Sequence, residues 1–153
     1  MKKIIKNVLI SIVGIIFLIN TIYFKVYAKD NERVINFKRI TIEDGLSQTT
    51  AQYIFQDSKG YMWIGTSDGL NRYDGYEFKV YRYKEGDKKS LSGNYISAIN
   101  EDKYGNIWIG TSRGLNKINK KTQEIKSYFP GSDGCNLSDY NITEILLDSN
   151  DDI

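Results

Sequence analysis

Any chemistry in this chain must come from carboxylates, tyrosines and cations, because its 153 residues include no histidine. A histidine general base, a Ser-His-Asp triad, a His-ligated metal and a phosphoaccepting histidine are therefore excluded within it. It contains neither a Walker-type phosphate loop nor a dinucleotide fingerprint. Two carboxylates can act on a glycosidic bond as acid and base, and the prominent ones are Asp57, Asp102 and Asp148. Each stands at an equivalent place in a recurring pattern, so these aspartates read as turn elements and no catalytic residue is assigned. The stretch Asp148-Ser149-Asn150-Asp151-Asp152 imitates the start of a calcium loop, but Ile153 occupies the position where that loop needs glycine. No metal and no cofactor is expected.

The recurring pattern is the strongest signal in the chain. Gly60-Tyr61-Met62-Trp63-Ile64-Gly65-Thr66-Ser67 precedes Asp68-Gly69-Leu70-Asn71, and Gly105-Asn106-Ile107-Trp108-Ile109-Gly110-Thr111-Ser112 precedes Arg113-Gly114-Leu115-Asn116. Trp63 and Trp108 lie 45 residues apart, and Leu46-Ser47, Ile54 and Asp57 match Leu91-Ser92, Ile99 and Asp102 at the same spacing. A third copy opens at Leu137-Ser138 and continues through Ile142, Ile145, Asp148 and Ile153. A fixed period of this length marks a repeat architecture, which builds a scaffold and a binding surface more often than a catalytic centre.

The elements that position these residues are short strands. The pattern predicts strands over 52–56, 62–65, 70–73 and 77–81 in the first unit. In the second it predicts them over 96–100, 107–109, 115–119 and 124–128. Asp57 to Gly60 and Asp102 to Gly105 are turns, since Asp bonds nearby backbone and Gly accepts positive φ. Four strands per unit of about 45 residues indicate an all-β partial β-propeller, with two four-stranded blades and the start of a third. The repeat positions Asp57, Gly60, Trp63, Gly65, Gly69, Asp102, Gly105, Trp108, Gly110 and Gly114 are expected to be structural. Both tryptophans should pack between blades, where a large ring buries most area. A ring takes about four to eight blades, so the chain is expected to be the front piece of a longer protein or a truncated gene product. On its own it should be poorly stable, with bare sheet edges prone to association.

The N-terminus reads as a targeting segment. Lys2, Lys3 and Lys6 precede the largely apolar stretch Val8 to Phe24, and Val26-Tyr27-Ala28 supplies small side chains before a cleavage point. Residues 1–28 are a signal peptide or an N-terminal membrane anchor, and either one exports the repeats. The expected organisation continues with a lead-in over 29–45 that carries a lone outer strand, Val34 to Ile40. Two blades then span 46–90 and 91–136, and a truncated third unit spans 137–153. Removing the four lysines of residues 1–28 from 21 basic residues leaves 17 against 19 acidic ones, so the exported part has no basic character that would suit nucleic acid. Cys135 is the lone cysteine and forms no intrachain disulfide.

Propeller ligands commonly meet the loops of one face, around the central channel. On that geometry Asp68, Tyr95, Arg113 and Tyr140 are the ligand-binding candidates. Asp68 and Arg113 occupy the same slot between identical neighbours, so the frame leaves their chemistry free.

The string carried by Leu46-Ser47, Asp57, Gly60, Trp63-Ile64-Gly65-Thr66 and Gly69-Leu70-Asn71, with its second copy, resembles the two-component regulator propeller repeat. The resemblance covers residues 37–153. It implies the extracytoplasmic sensing region of a membrane sensor, with a histidine kinase or a diguanylate cyclase as output and a homodimer as working form. It further implies an oligosaccharide or other small extracellular ligand, the remaining blades of the ring as partners, and contact with the membrane. The Val34–Ile40 strand would then complete the last blade of a closed ring. The competing readings are an exported propeller enzyme acting on carbohydrate, which would need charged residues unique to one blade, and a scaffold that binds protein partners, a second copy included.

Overall fold

The computed structural model describes residues 1–27, 35–132, 134–148 and 150. The expected cleavage point after Ala28, Val34 at the head of the lone strand, and the Asp151-Asp152-Ile153 end of the calcium-like stretch lie outside the described residues. The chain divides into two units, Met1–Lys38 and Arg39–Ile153.

The first unit contains helix α1, Lys2–Tyr27. Ile4, Leu9, Val13, Ile16, Phe17 and Leu18 are all exposed, so apolar side chains surround the helix rather than forming one stripe. A helix that is apolar on every side suits lipid, not an aqueous surface. The span Lys2–Asn20 is long and apolar enough to cross a membrane, and a signal sequence has the same properties.

The second unit is two antiparallel four-stranded sheets. The first holds β1 (Tyr53–Gln56), β2 (Met62–Thr66), β3 (Gly69–Tyr73) and β4 (Phe78–Tyr81), each paired with the next. The second repeats the arrangement with β5 (Ile96–Glu101), β6 (Ile107–Thr111), β7 (Gly114–Ile118) and β8 (Ile125–Tyr128). Each begins and ends within two residues of where the sequence places it. Registers correspond as well: Trp63 faces Arg72, and Trp108 faces Lys117.

Asp57 and Asp102 build the turn into the second strand. One Asp57 carboxylate oxygen accepts the backbone N–H of Lys59 and Tyr61, at 2.9 and 3.0 Å. The other accepts the indole N–H of Trp63 at 2.9 Å. Asp102 receives the N–H groups of Tyr104, Asn106 and Trp108 in the same way. A polar indole edge can be buried because this carboxylate satisfies it.

The blades pack face to face. Trp63, Leu70 and Tyr81 of the first meet Ile96, Ile99, Ile107, Ile109 and Ile118 of the second in one buried core. The closest fit lies at Gly65, where an added Cβ would come 2.6 Å from Ile96 Cγ2. The contact recurs one unit on, where a Cβ at Gly110 would come 2.8 Å from Ile142 Cγ2. The opening of the third unit therefore seats on the second blade, although its described residues form no strand. Ile142 and Ile145 join Ala98 and Leu115 in a smaller core, against which Trp108 and Tyr128 pack. The Ile142 N–H donates to the Thr111 carbonyl at 3.0 Å, and Asn100 Nδ2 donates to the Ile145 carbonyl at 3.2 Å. Trp63 is fully buried and Trp108 half-buried, because only the start of a third unit covers the latter.

Two local features depart from expectation. Residues 35–40 belong to no strand. A lone strand needs an edge to pair with, and its proposed partner is the last blade of a closed ring. The segment runs instead into a 3-10 turn, Ile42–Asp44, capped by Thr41 and closed by Gly45 at φ 106°. The second departure is a bulge in β5, where the pairing slips between Ile96 and Ala98. The extra residue, Ser97, donates its hydroxyl to the Ile142 carbonyl of the third unit.

If blades lean on each other through these glycine notches, Gly65→Ala should lower unfolding free energy by about 1–3 kcal/mol, the usual cost of overpacking. Urea denaturation would measure it. The penalty should shrink when Ile96→Ala is made as well; equal losses in both backgrounds would disprove the contact.

Candidate functional site

A polar clasp fixes the strand ends opposite the Asp57 and Asp102 turns. In the first blade the Ser47 N–H donates to Asn71 Oδ1 at 2.8 Å, Asn71 Nδ2 donates to Ser47 Oγ at 2.8 Å, and Ser47 Oγ lies 2.9 Å from Thr66 Oγ1. Thr66 Oγ1 donates to the Gly69 carbonyl and accepts the Asp68 N–H, each at 3.0 Å. Ser92, Asn116, Thr111, Gly114 and Arg113 repeat every one of these bonds. Thr66, Asn71, Thr111 and Asn116 are fully buried, and their hydrogen bonds offset the cost of that burial. The clasp holds residues 68 and 113 in equivalent turns by their backbone N–H groups and makes no bond to either side chain.

The four sequence candidates fare differently. Asp68 is engaged by Arg82, whose guanidinium lies 2.9 Å away, with both side chains about half exposed. Tyr95 is exposed where the chain enters β5. Arg113 and Tyr140 are brought together in one groove of about 790 Å³. The groove runs beside β8, the edge of the sheet farthest from β5, so Tyr95 has no part in it. The meeting place thus lies toward the last strand, not toward the first strand as a channel-facing site would. Among the described residues Arg113 has no carboxylate partner; its guanidinium carbon lies 5.5 Å from the centre of the Tyr83 ring.

Sequence reasoning missed Tyr83, Lys88, Lys126 and Phe129 as lining residues. One signal was available. Gly93 stands where the first unit has Gln48, so this position differs between units together with the Asp68 and Arg113 slot. The structure shows these two in contact: a Cβ at Gly93 would meet Arg113 Cβ at 3.3 Å and Thr111 Oγ1 at 3.3 Å. Glycine clears the floor on which the arginine lies.

A second cavity, of about 670 Å³, opens at the opposite strand ends. Three of its polar side chains, Ser58, Glu101 and Lys120, join the blades. Lys120, in the turn between β7 and β8, lies 3.1 Å from Asp57 of the first blade and also pairs with Glu101 of the second. Glu101 accepts the Ser58 N–H at 2.6 Å and its hydroxyl at 2.8 Å. Burial disfavours the charged form of both carboxylates. The Trp63 indole and Lys120 outweigh it at Asp57, and Lys120 and Ser58 outweigh it at Glu101, so both stay below the usual carboxylate range. Burial likewise opposes the charge on Lys120, but Glu101 and Asp57 raise it above the usual lysine value. The arrangement is a buried ionic lock between blades.

Comparison with known proteins agrees with this geometry. Residues 45–68 and 90–113 match the two component regulator propeller family model. Over 56 residues, 37% of this chain, the sequence is 50% identical to Histidine kinase P4 of Formosa agariphila, and the match spans 4% of that kinase. A crystal structure of the extracellular domain of a hybrid two component system from B. thetaiotaomicron superposes with a TM-score of 0.66 at 33% identity. It covers 74% of this chain and 16% of that one, so the chain spans a small part of the length of each relative.

Lys120→Met would leave two buried carboxylates without their cation, at a cost of about 3–5 kcal/mol near neutral pH. The gap from wild type should narrow as pH falls below about 4, because the stability supplied by a carboxylate with a depressed pKa is lost as it protonates. Urea melts at a series of pH values would show this; a constant gap down to acid would argue against the lock.

Proposed function

Starting from two tryptophan units that are two-component regulator propeller repeats, we propose that this chain supplies blades to the extracytoplasmic ligand-sensing propeller of a membrane sensor with histidine kinase output. The observation that carries the reading is the contrast between frame and slot. Trp63 and Trp108, Gly65 and Gly110, and the Ser-Thr-Asn clasps are the same in both units, whereas Arg113 replaces Asp68 beside an open groove. A frame kept constant around a varied, solvent-facing position suits recognition, while catalysis has no matched acid and base here.

The apolar helix α1 would deliver the propeller across the membrane or hold it there, and the remaining blades would complete the ring. The lead-in over 35–40 would pair only in that ring. A small extracellular molecule, most simply an oligosaccharide, would then meet the groove, where Tyr83, Phe129 and Tyr140 offer ring faces and Ser112 offers a hydroxyl. Dimerisation of the sensor would pass the signal to the kinase.

The test is a thermal-shift screen of the full chain in detergent against neutral and acidic oligosaccharides. A ligand that binds only the folded state raises Tm. At least one saccharide class should do so, and Tyr140→Ala should weaken the response at least tenfold. A flat response across the panel would favour a scaffold that binds other proteins.

A further inference from the structure

We infer that Asn141 is a modification site: the acceptor of an N-linked glycan, attached covalently by a transferase at the outer face of the membrane. The inference rests on the export in the reading above and not on what the groove binds.

The sequence supplies the acceptor. Asn141-Ile142-Thr143 is an Asn-x-Thr pattern, and Asp139 stands two residues before the asparagine. An amide nitrogen is a weak nucleophile, because its lone pair is shared with the carbonyl. A transferase must therefore hold the acceptor closely. The Thr143 hydroxyl gives it one handle, and the Asp139 carboxylate gives a second that can pair with a cation of the enzyme. Asn136-Leu137-Ser138 also fits the short pattern, but Gly134 occupies the place of the acid. The second handle thus selects Asn141.

The structure leaves this asparagine uncommitted. The frame uses its others: Asn71 and Asn116 donate within the clasps, Asn94 accepts the Tyr83 N–H, and Asn106 donates to Asp102. Asn141 and Thr143 are exposed, and among the described residues neither the Asn141 side-chain amide nor the Thr143 hydroxyl has a bonding partner. Only the backbone is fixed. The Asn141 N–H donates to Asp139 Oδ1 at 2.9 Å, and the Ile142 N–H donates to the Thr111 carbonyl at 3.0 Å. Ile142 itself is buried against Gly110. A glycan on the exposed Asn141 side chain would displace no core contact. The described residues between β8 and Ile142 form neither helix nor strand, so the acceptor is free to extend into a transferase before Ile142 seats.

The transfer is balanced. A bond forms from Asn141 Nδ2 to the anomeric carbon of a glycan carried on a lipid diphosphate, and the bond from that carbon to the diphosphate oxygen breaks. The lipid diphosphate leaves, and the amide gives one proton to a base of the transferase.

Mass spectrometry of the full chain, extracted in detergent from the envelope of the cells that make it, tests this. Trypsin cuts after Lys126, and no lysine or arginine follows through Ile153, so one peptide holds both patterns. Electron-transfer fragmentation should place the glycan mass on Asn141 and leave Asn136 bare. Asp139→Ala and Thr143→Ala should each lower the modified fraction at least tenfold, while Asp139→Glu and Asn136→Gln should leave it unchanged. Circular dichroism melts matching wild type would show that the variants fold. A bare Asn141 on chain recovered from the envelope would overturn the inference and leave export standing. Chain recovered from the cytoplasm alone would remove both. Equal modification of Asn136 and Asn141, or full modification of Asp139→Ala, would overturn the selection by Asp139.

Discussion

An isoleucine seated over a glycine holds this propeller segment together. Ile96 sits against Gly65 and Ile142 against Gly110, so close that a single added carbon would overlap. A sheet with two apolar faces cannot be stable alone, because each exposed face would stand in water. Close approach of neighbouring sheets removes that exposure and brings Trp63 into a dry core. The indole N–H would be costly there without the Asp57 carboxylate, which also ties the turn leading into the strand. Packing and turn geometry are thus one solution: the ring that fills the interface is anchored by the residue that shapes the loop.

The same economy explains where variation is tolerated. Each Ser-Thr-Asn clasp satisfies buried polar atoms using residues of its own blade, so the turn it supports does not depend on the side chain at its tip. Asp68 and Arg113 can then differ without disturbing the fold, and the second pairs with a glycine that makes room for it. At the other strand ends the residues are far less free. Asp57, Lys120 and Glu101 join two blades, and a buried ion set of this kind is destabilising if any member is lost.

Much of the architecture was legible in the chain because strand periodicity and turn residues act locally. The Trp-Ile-Gly-Thr segments, the Asp turns and the positive-φ glycines need only their neighbours to be read, and the eight strands lie where those signals put them. The site was half legible. Arg113 and Tyr140 were candidates because of their loops, but Lys88, Lys126 and Phe129 reach the groove from segments far apart in sequence. Lys120 gave no signal, since it lies 63 positions from Asp57 and the first unit has Gly75 in its place.

The sequence by itself determined the repeat, its strands and turns, the apolar N-terminal helix and the absence of histidine chemistry, all of which come from residue type and spacing. Tertiary structure alone decided which face each blade presents to the next, that Ser97 bulges toward the third unit, that Asp68 is neutralised while Arg113 meets no carboxylate among the described residues, and that the groove runs along β8. The physical reason is the range of the forces involved. Backbone preference acts over a few residues, whereas packing and ion pairing depend on distances that exist only once the sheets have come together.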